Sequence, residues 1–340
     1  MIRINNGSAY LITKPEHVLY LSGFDGEGFL ILTRNSKFLA TDQRYWLRAK
    51  GKVKKTFRLF GLKTGWEKEL NKTLTKFKTV CFEEDHLTVS GLRKWKKILP
   101  KRKWKESHQV FKKMRLVKTD KELFKMKKAA AFGDVILKKI KGKLKPGITE
   151  SFIASSIICL AHELADGVSF DPIVAFGKNA AIPHHLPGKT RLKKDDAILI
   201  DMGVKYMNYM SDMTRCFFVG KGIAKVRQMH ELLLKVQKTA VQMVRPGIKV
   251  KDLILAVRGL LGKEAKYFTH GLGHGVGLKI HEGPSLSEKS DDVLDAGMVI
   301  TIEPGIYKPG IGGVRIEDMV VVKEKGGEVI TKSGKKTFLR

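Results

Sequence analysis

The sequence is poor in cysteine. Its three cysteines, Cys81, Cys159 and Cys216, form no C-x-x-C pair. Scattered thiols argue against a disulfide framework and a cysteine-based zinc site, and they favour a reducing compartment. No run approaches the roughly 18 apolar residues that a membrane-spanning helix needs. The start has no basic region followed by a long apolar run, so we expect no signal peptide. We therefore expect a cytoplasmic protein that does not enter a membrane.

Acidic residues are also scarce, because 34 Asp and Glu accompany 65 Lys and Arg, for a net charge of +31. Residues 1–115 hold 27 of the basic and 10 of the acidic side chains, with dense runs such as LRKWKKILPKRKWKE. Such a surface attracts polyanions at low salt. No nucleic-acid-binding motif accompanies the charge. We therefore favour a solvated lysine-rich surface, with weak electrostatic polyanion binding as the alternative.

The length of 340 residues predicts two domains. The first third alternates strand-like runs (GFLILT, KFLAT, KTVCFE) with amphipathic stretches (RYWLRAK, GWEKELNKTLTKF), which predicts an α/β domain over residues 1–115. The basic stretch around Lys112–Lys118 is interpreted as a link. Residues 116–340 form the second predicted domain.

The second domain carries helix signals and a weak internal repeat. Thr119 with Glu122 three residues later is a capping-box pattern that predicts a helix start. KPGITESFIASSI at 145–157 recurs in outline as RPGIKVKDLILAV at 245–257. In both, Pro-Gly-Ile separates two helical patterns. Unless this short match is chance, it predicts a duplicated α+β half.

Two aspartates lie at the edges of apolar runs in AILIDMGVKYMNYMSDMTRCFFVG. Alone, Asp201 or Asp212 reads as a residue at a turn or strand end. On one straight strand their separation of eleven would place them on opposite faces. A hairpin that turns near Asn208 would bring both carboxylates to one pocket instead.

Two glutamates occupy similar positions further along. Glu303 ends the run MVITI before a Pro-Gly break, and Glu317 is predicted to lie inside the apolar strand GGVRIEDMVVV. A buried carboxylate is costly unless it is paired or binds a metal. Arg315, two residues earlier and hence on the same face, offers the simple alternative of an Arg–Glu pair.

The stretch THGLGHGVGLKIHEGP contains His270, His274 and His281 among alternating glycines. So many glycines disfavour a helix and favour close approach of the backbone to a site. The spacing does not match a phosphate-binding loop, and no G-x-S-x-G elbow of a serine hydrolase is present. Three imidazoles within twelve residues indicate a functional site.

The charges indicate what this site holds. Four carboxylates in one pocket would repel each other and raise each other's pKa unless about two divalent cations compensate them. Four carboxylates and one imidazole form a hard, oxygen-rich ligand set that suits Mn²⁺, with Co²⁺ or Zn²⁺ as alternatives. Two metals that share a bridging hydroxide and polarise a carbonyl perform amide hydrolysis.

These motifs resemble the pita-bread metallopeptidases, in particular the Xaa-Pro aminopeptidase and Xaa-Pro dipeptidase (prolidase) branch. The similar segments are HGLGHGVGLKIHE, LIDMG with SDMTR, ITIEPGIY and GGVRIED, in the family's order, together with a creatinase-type N-terminal domain. The resemblance spans nearly the whole chain. It implies an α+β fold in which a creatinase-like α/β domain precedes a pita-bread domain of two pseudo-twofold halves.

By this resemblance the chain would be a dinuclear metallo-exopeptidase that cleaves the Xaa-Pro bond of peptides or dipeptides through a metal-bridging hydroxide. The implied metal ligands are Asp201, Asp212, His274, Glu303 and Glu317, with Asp212 and Glu317 bridging. The implied catalytic residues are His184, His281 and Glu303, with Glu303 as proton shuttle. The implied substrate-binding residues are His270, Tyr307 and Arg315, and His185 is a neighbour of the site.

The resemblance leaves alternatives open. A homodimer is expected, because the family is commonly dimeric. Methionine aminopeptidases share the fold but usually lack the N-terminal domain, and creatinase lacks this ligand set. Relatives that lost the metals act as nucleic-acid- or protein-binding modules, which the basic N-terminal third would suit. A dipeptidase also needs a basic group for the free carboxylate of its substrate, and the loop SLSEKSDDVLDAG offers Lys289.

Overall fold

The computed structural model describes residues 4–221, 223–335 and 338–339. The chain divides into two compact units, Met1–Met114 and Arg115–Arg340. Within the described residues, no helix combines the length and the apolar character that crossing a membrane requires.

The N-terminal unit is built on a six-stranded mixed sheet in the order β4-β3-β2-β1-β5-β6. Its strands are β1 (Ser8–Ile12), β2 (Phe29–Leu32), β3 (Lys37–Thr41), β4 (Arg58–Gly61), β5 (Thr79–Phe82) and β6 (Lys103–Glu106). Its helices are α1 (Pro15–Ser22), α2 (Trp46–Lys52), α3 (Trp66–Thr73), α4 (Val89–Ile98) and α5 (His108–Leu116), the last of which runs across the unit boundary. The predicted α/β domain is confirmed.

The basic stretch around Lys112–Lys118, interpreted as a link, contains the boundary between the two units. Most of it belongs to helix α5. Phe111 is almost fully buried, and its ring lies 5.8 Å from Tyr10 and 5.4 Å from His17. Helix α5 therefore buries Phe111 on one side, while Lys112 and Lys113 are exposed to solvent.

The second unit contains four long helices and several small sheets. The helices are α6 (Asp120–Lys141), α7 (Glu150–Leu164), α8 (Ala224–Met243) and α9 (Val250–Leu261). The first strands are β7 (Ile173–Phe176), β8 (Ala197–Met202), β9 (Lys205–Tyr206), β10 (Tyr209–Met210) and β11 (Met213–Val219). The later strands are β12 (Gly273–Gly275), β13 (Glu282–Leu286), β14 (Val299–Ile302), β15 (Gly305–Lys308), β16 (Gly312–Arg315), β17 (Asp318–Lys323), β18 (Gly326–Val329) and β19 (Phe338–Leu339). The larger sheets have the orders β19-β11-β8-β7 and β13-β12-β14-β17-β18.

The two halves of this unit repeat each other. The amide of Gly147 donates to the carbonyl of Leu192 and the amide of Gly247 to that of Leu294, both at 2.8 Å. Both glycines have positive φ, +94° and +83°, which turns the chain between the paired helices. One apolar core lies under α6 and α7 and another under α8 and α9. The predicted duplicated α+β half is confirmed.

The predicted helix start at Thr119 is also confirmed. Its side chain accepts from the amide of Glu122, and the Glu122 carboxylate accepts from the amide of Thr119. Helix α6 then buries one face against its half of the unit, from Leu123 to Ile140.

Candidate metal centre

The two aspartates lie on one β-hairpin. Strands β8 and β11 pair antiparallel, with Asp201 opposite Thr214 and Met202 opposite Met213. Asp212 immediately precedes β11. The chain turns through Met207 and Asn208, both in the left-handed region with φ of +47° and +68°. The hairpin predicted from the sequence is confirmed, and it places both carboxylates at the same end.

Part of the glycine-rich stretch forms strand β12, which packs closely against strands β13 and β14. A Cβ atom on Gly275 would lie 1.9 Å from the carbonyl oxygen of Gly283, and one on Gly273 would lie 2.1 Å from that of Thr301. Only glycine allows this approach. Because Gly273 and Gly275 flank His274, its imidazole is held on a strand packed tightly between β13 and β14.

The two glutamates lie just outside strands. Glu303 follows β14, as predicted, but Glu317 lies in the break between β16 and β17, so its placement inside a strand was wrong. The break ends the two-residue alternation that would put Arg315 and Glu317 on one face. Arg315 instead pairs with Asp201, at 2.6 Å between Nη2 and Oδ2. The expected alternative of an Arg315–Glu317 pair is therefore also wrong.

These residues meet at one pocket of about 480 Å³. Candidate ligand atoms of Asp212, His274 and Glu317 all lie within 4.8 Å of one another. His274 Nε2 lies 3.5 Å from Asp212 Oδ2 and 3.4 Å from Glu303 Oε1. Asp201 lines the same pocket. The structure thus brings together all five residues that the resemblance implies as ligands.

Burial and mutual repulsion act on the carboxylates. The pKa of Asp212 is raised well above its ordinary value, first by burial and then by the charges of Glu317, Asp201 and Glu303. Burial and the Glu303 charge raise the pKa of Glu317 in the same way. Burial raises the pKa of Glu303 to about 7, although Arg315 opposes the shift. The ionised forms therefore need a compensating positive charge.

The hydrogen bonds of His274 show where such a charge belongs. Its Nδ1 lies 3.1 Å from the carbonyl oxygen of Gly275, an acceptor, so Nδ1 carries the proton. Burial and the nearby His281 lower the pKa of His274 to about 4, so Nε2 remains unprotonated at neutral pH. Nε2 and the nearby oxygens of the ionised Asp212 and Glu303 are then three acceptors that face one another, and Glu303 Oε1 already accepts a hydrogen bond from Thr301. A metal ion satisfies all three.

A buried oxygen atom of Asp201 also indicates a site for a positive ion. Asp201 Oδ1 is buried and has no hydrogen-bond partner among the described residues, whereas Oδ2 is held by Arg315. Buried polar atoms are seldom left unpaired. The donor set therefore fits divalent cations with a preference for oxygen ligands.

Comparisons with known proteins agree with this geometry. Residues 125–324 match the model of metallopeptidase family M24, and residues 4–117 match the creatinase/prolidase N-terminal domain. The chain belongs to metallopeptidase family M24. It is an enzyme of the pita-bread fold with a creatinase-type N-terminal domain, as the sequence motifs implied.

This M24 peptidase is similar to a protein of named activity and to solved structures. It is 34% identical to an Xaa-Pro dipeptidase of Pyrococcus horikoshii over 97% of this chain and 94% of that protein. An X-Pro aminopeptidase of Thermotoga maritima has a similar structure, with a TM-score of 0.92, 33% identity and 98% of both chains covered. An Xaa-Pro dipeptidase from Bacillus anthracis has a TM-score of 0.94, with 32% identity over 97% of this chain and 95% of that one. The chain is thus similar both to proteins named Xaa-Pro dipeptidase and to one named X-Pro aminopeptidase.

Two threonines fix carboxylates of this M24 peptidase. Thr214 donates to Glu317 at 2.7 Å and accepts from Arg315 Nε at 3.0 Å. Thr301 donates to Glu303 at 3.0 Å and accepts from the amide of His274, also at 3.0 Å. Sequence reasoning missed both, although each threonine lies within two residues of a predicted ligand. Such hydrogen bonds orient metal ligands.

The residues implied for catalysis and substrate binding also reach the pocket. His184, His270, His281 and Arg315 line it. Tyr307 lies behind them, with its hydroxyl 2.9 Å from His270 Nε2 and 2.8 Å from Arg315 Nη1. Burial raises the pKa of Tyr307 to about 12 and lowers that of His270 to about 4, so both are neutral at pH 7.

Each of two pocket histidines is followed by a residue that fastens its loop. His185 Nε2 lies 2.9 Å from Glu150, a fully buried carboxylate at the start of α7. Glu282 pairs with Lys118 at 2.9 Å and with Arg115. His184, His185 and His281 all line the pocket, and the contacts of His185 with Glu150 and of Glu282 with Lys118 and Arg115 hold the backbone beside them. Sequence reasoning missed Glu150, Lys118 and Arg115, because no local pattern links them to distant loops.

Proposed function

We propose that this metallopeptidase is an exopeptidase that hydrolyses the Xaa-Pro bond at the N-terminus of peptides or in dipeptides. It would use two divalent ions held by Asp201, Asp212, His274, Glu303 and Glu317. The observation that carries the proposal is the group of facing acceptors around His274 Nε2, together with the repelling carboxylates. The similarity to proteins named Xaa-Pro dipeptidase and X-Pro aminopeptidase supports the substrate class.

The ligand set suits Mn²⁺, with Co²⁺ and Zn²⁺ as alternatives, and we propose that Asp212 and Glu317 would help to hold both ions. When bound, two such ions activate water as a nucleophile at neutral pH and polarise the scissile carbonyl. The protein contributes a rigid ligand frame, since strands and hydrogen bonds from Thr214 and Thr301 hold the carboxylates.

The protein's own groups would handle protons and orientation. Glu303, which lines the pocket and contacts His274, would take a proton and deliver it to the departing prolyl nitrogen. His184 and His281 would hydrogen-bond the substrate and the tetrahedral intermediate. Both nitrogens of His270 are engaged, with the Gly271 carbonyl and with Tyr307, so its ring would shape the substrate site. Arg315 would hold Asp201 in place.

The charge of the pocket supports cleavage at a free N-terminus. Five lining residues are carboxylates, and one of them, Asp171, lies exposed outside the five-ligand set. An α-ammonium group can form charge-assisted hydrogen bonds with carboxylate oxygens of the ligand set, whereas an acetylated N-terminus cannot. We therefore propose that substrates bind with their N-terminal amine directed toward the carboxylates of the ligand set.

The test uses metal-stripped protein with Ala-Pro-Ala, acetyl-Ala-Pro-Ala, Ala-Pro and Ala-Ala-Ala, each with and without Mn²⁺. We expect metal-dependent cleavage of free-amine substrates that contain proline at the second position. An Asp212→Ala variant should lose both Mn²⁺ binding, measured by calorimetry, and cleavage. Unchanged kcat in Asp212→Ala, or equal cleavage of Ala-Ala-Ala, would contradict the proposal.

Other features remain proposals. We propose residues 1–115 as the creatinase-type domain and residues 116–340 as the catalytic domain, a homodimeric assembly and a cytoplasmic location. Loose polyanion binding by the basic N-terminal residues is a second candidate property, since residues 1–115 carry a net charge of +17. Gel-shift binding that disappears by about 0.2 M salt would identify it as electrostatic.

A further inference from the structure

The charged side chains that line the pocket are unequally distributed. Five are carboxylates: Asp171, Asp201, Asp212, Glu303 and Glu317. Among the described lining residues the only lysine or arginine is Arg315. Two divalent ions would just offset the remaining charge of −4. The site would then have no positive charge left for an anionic group on the substrate.

Arg315 itself is not available to a substrate anion. Its side chain is only 4% exposed. Nη2 contacts Asp201, Nη1 contacts the Tyr307 hydroxyl at 2.8 Å and the carbonyl oxygen of Pro183 at 3.4 Å, and Nε contacts Thr214 at 3.0 Å. Four of the five N–H groups that a guanidinium offers are therefore engaged.

Two lysines that lie close in sequence to lining residues do not supply the missing positive charge. Lys279 precedes the lining residue Ile280 but is exposed and does not line the pocket. Lys289, the basic residue that the sequence offered for a dipeptide carboxylate, is also exposed and outside the lining. The carboxylate of a bound dipeptide would instead share the pocket with Asp171.

The length of the substrate decides where its carboxylate lies. In Ala-Pro the carboxylate carbon is two bonds from the scissile nitrogen, so it must enter the pocket with the proline ring. Each added residue moves the terminal carboxylate up to about 3.5 Å further along the chain. In a tripeptide a neutral amide takes the inner position, and the charge moves toward solvent, where its interactions are weak.

We infer that this pocket selects peptides of three or more residues over Xaa-Pro dipeptides, because it lacks an uncommitted cation for the proline carboxylate. The inference rests on the proposed Xaa-Pro cleavage and names the substrate class within it. Asp171 acts as a specificity-determining residue that repels a carboxylate next to the proline ring.

The test compares Ala-Pro, Ala-Pro-amide and Ala-Pro-Ala with the Mn²⁺-loaded full chain at pH 8, where ordinary histidine is neutral. The amide differs from Ala-Pro only in lacking the charge, so it separates charge from length. We expect kcat/KM for the amide and the tripeptide to exceed that for Ala-Pro by about tenfold or more, the scale of one uncompensated charge. Equal or faster cleavage of Ala-Pro would overturn the inference alone. No cleavage of any of the three would overturn the proposed function and this inference with it.

A variant tests the like-charge contribution. Asp171→Asn should raise kcat/KM for Ala-Pro a few-fold relative to Ala-Pro-amide. Asp291→Asn is the matched control, because Asp291 is a 93% exposed aspartate outside the pocket lining. The control should leave the ratio unchanged. If Asp171→Asn also left the ratio unchanged, the role of Asp171 would be refuted.

Discussion

Glu282 pairs with two buried cations of the second unit, so removal of its charge should lower the free energy of unfolding. It pairs with Lys118 at 2.9 Å and with Arg115, and the side chains are 9%, 1% and 8% exposed. Burial lowers the pKa of Lys118, and Arg115 lowers it further, whereas Glu282 opposes the shift. Without Glu282, two cations would remain buried and repel each other.

We expect Glu282→Gln to lower the free energy of unfolding by about 3–5 kcal/mol, the cost of breaking a buried ion pair by removing one partner. For a unit of this size, that corresponds to a fall in Tm on the order of 10 °C. The measurement is calorimetry of both proteins at pH 7 with matched metal content. Because Glu282 follows His281, kcat/KM should also fall while Mn²⁺ affinity stays close to that of the parent.

Glu328→Gln is the matched control. Glu328 also has two lysine partners, Lys127 at 2.6 Å and Lys323 at 3.8 Å, but its side chain is 39% exposed. Exposed pairs contribute about 0–1 kcal/mol. We therefore expect a loss of less than about 1 kcal/mol. Equal losses for Glu282→Gln and Glu328→Gln would refute the reasoning, because burial would then make no difference.

The dependence on pH gives an independent check. In Glu282→Gln the pKa of Lys118 should fall further below its unfolded value. A depressed folded-state pKa adds stability above the unfolded pKa, which is lost as the pH falls through the folded pKa. The deficit of the variant should therefore shrink between pH 7 and pH 10. Adding Lys118→Met to Glu282→Gln should remove this pH dependence and restore part of the stability.

Three further perturbations address the metal centre and its supports. Thr214→Val removes a donor to Glu317, so Mn²⁺ affinity measured by calorimetry should fall about 10–100-fold; unchanged affinity would exclude this support. The pKa of Glu303 is raised to about 7 in the folded protein, from about 4.5 in the unfolded chain. The contribution of Glu303 to the free energy of unfolding is therefore present below pH 4.5 and is lost as the pH rises toward 7 and above. Urea unfolding with a chelator should show metal-free protein weakening by about 3 kcal/mol from pH 5 to pH 8, and less in Glu303→Gln. Glu150→Gln weakens the anchor of His185, so kcat/KM should fall with Mn²⁺ affinity retained, and equal losses of both would contradict a role confined to this loop.

Features that depend on neighbouring residues were predictable from the sequence. The capping box at Thr119 and the hairpin between Asp201 and Asp212 follow from local spacing, and the duplicated helical pairs follow from the recurrence of one short local pattern. Hydrogen bonding within a turn, side-chain alternation and glycine conformations act over a few residues. The five candidate ligands were identified from a resemblance in such local motifs, and the structure brings them together.

Other features depended on residues far apart in the sequence. The partner of Arg315 is Asp201, 114 positions away, and the partner of Lys118 is Glu282, 164 positions away. The alternation that suggested an Arg315–Glu317 pair ends where β16 gives way to β17, a break that the apolar composition does not reveal.

By itself, the sequence determined the two-part organisation and the repeated α+β halves, because these follow from chain length and from patterns along the chain, and a resemblance in local motifs identified the candidate metal ligands. Only the tertiary structure decided which buried charges are compensated. It engages Arg315 with Asp201, Tyr307 and Thr214 and leaves Asp171 as an exposed carboxylate of the pocket lining. Pairing between buried charges is decided by the packing of whole sheets and helices, which brings distant side chains within a few ångströms of each other.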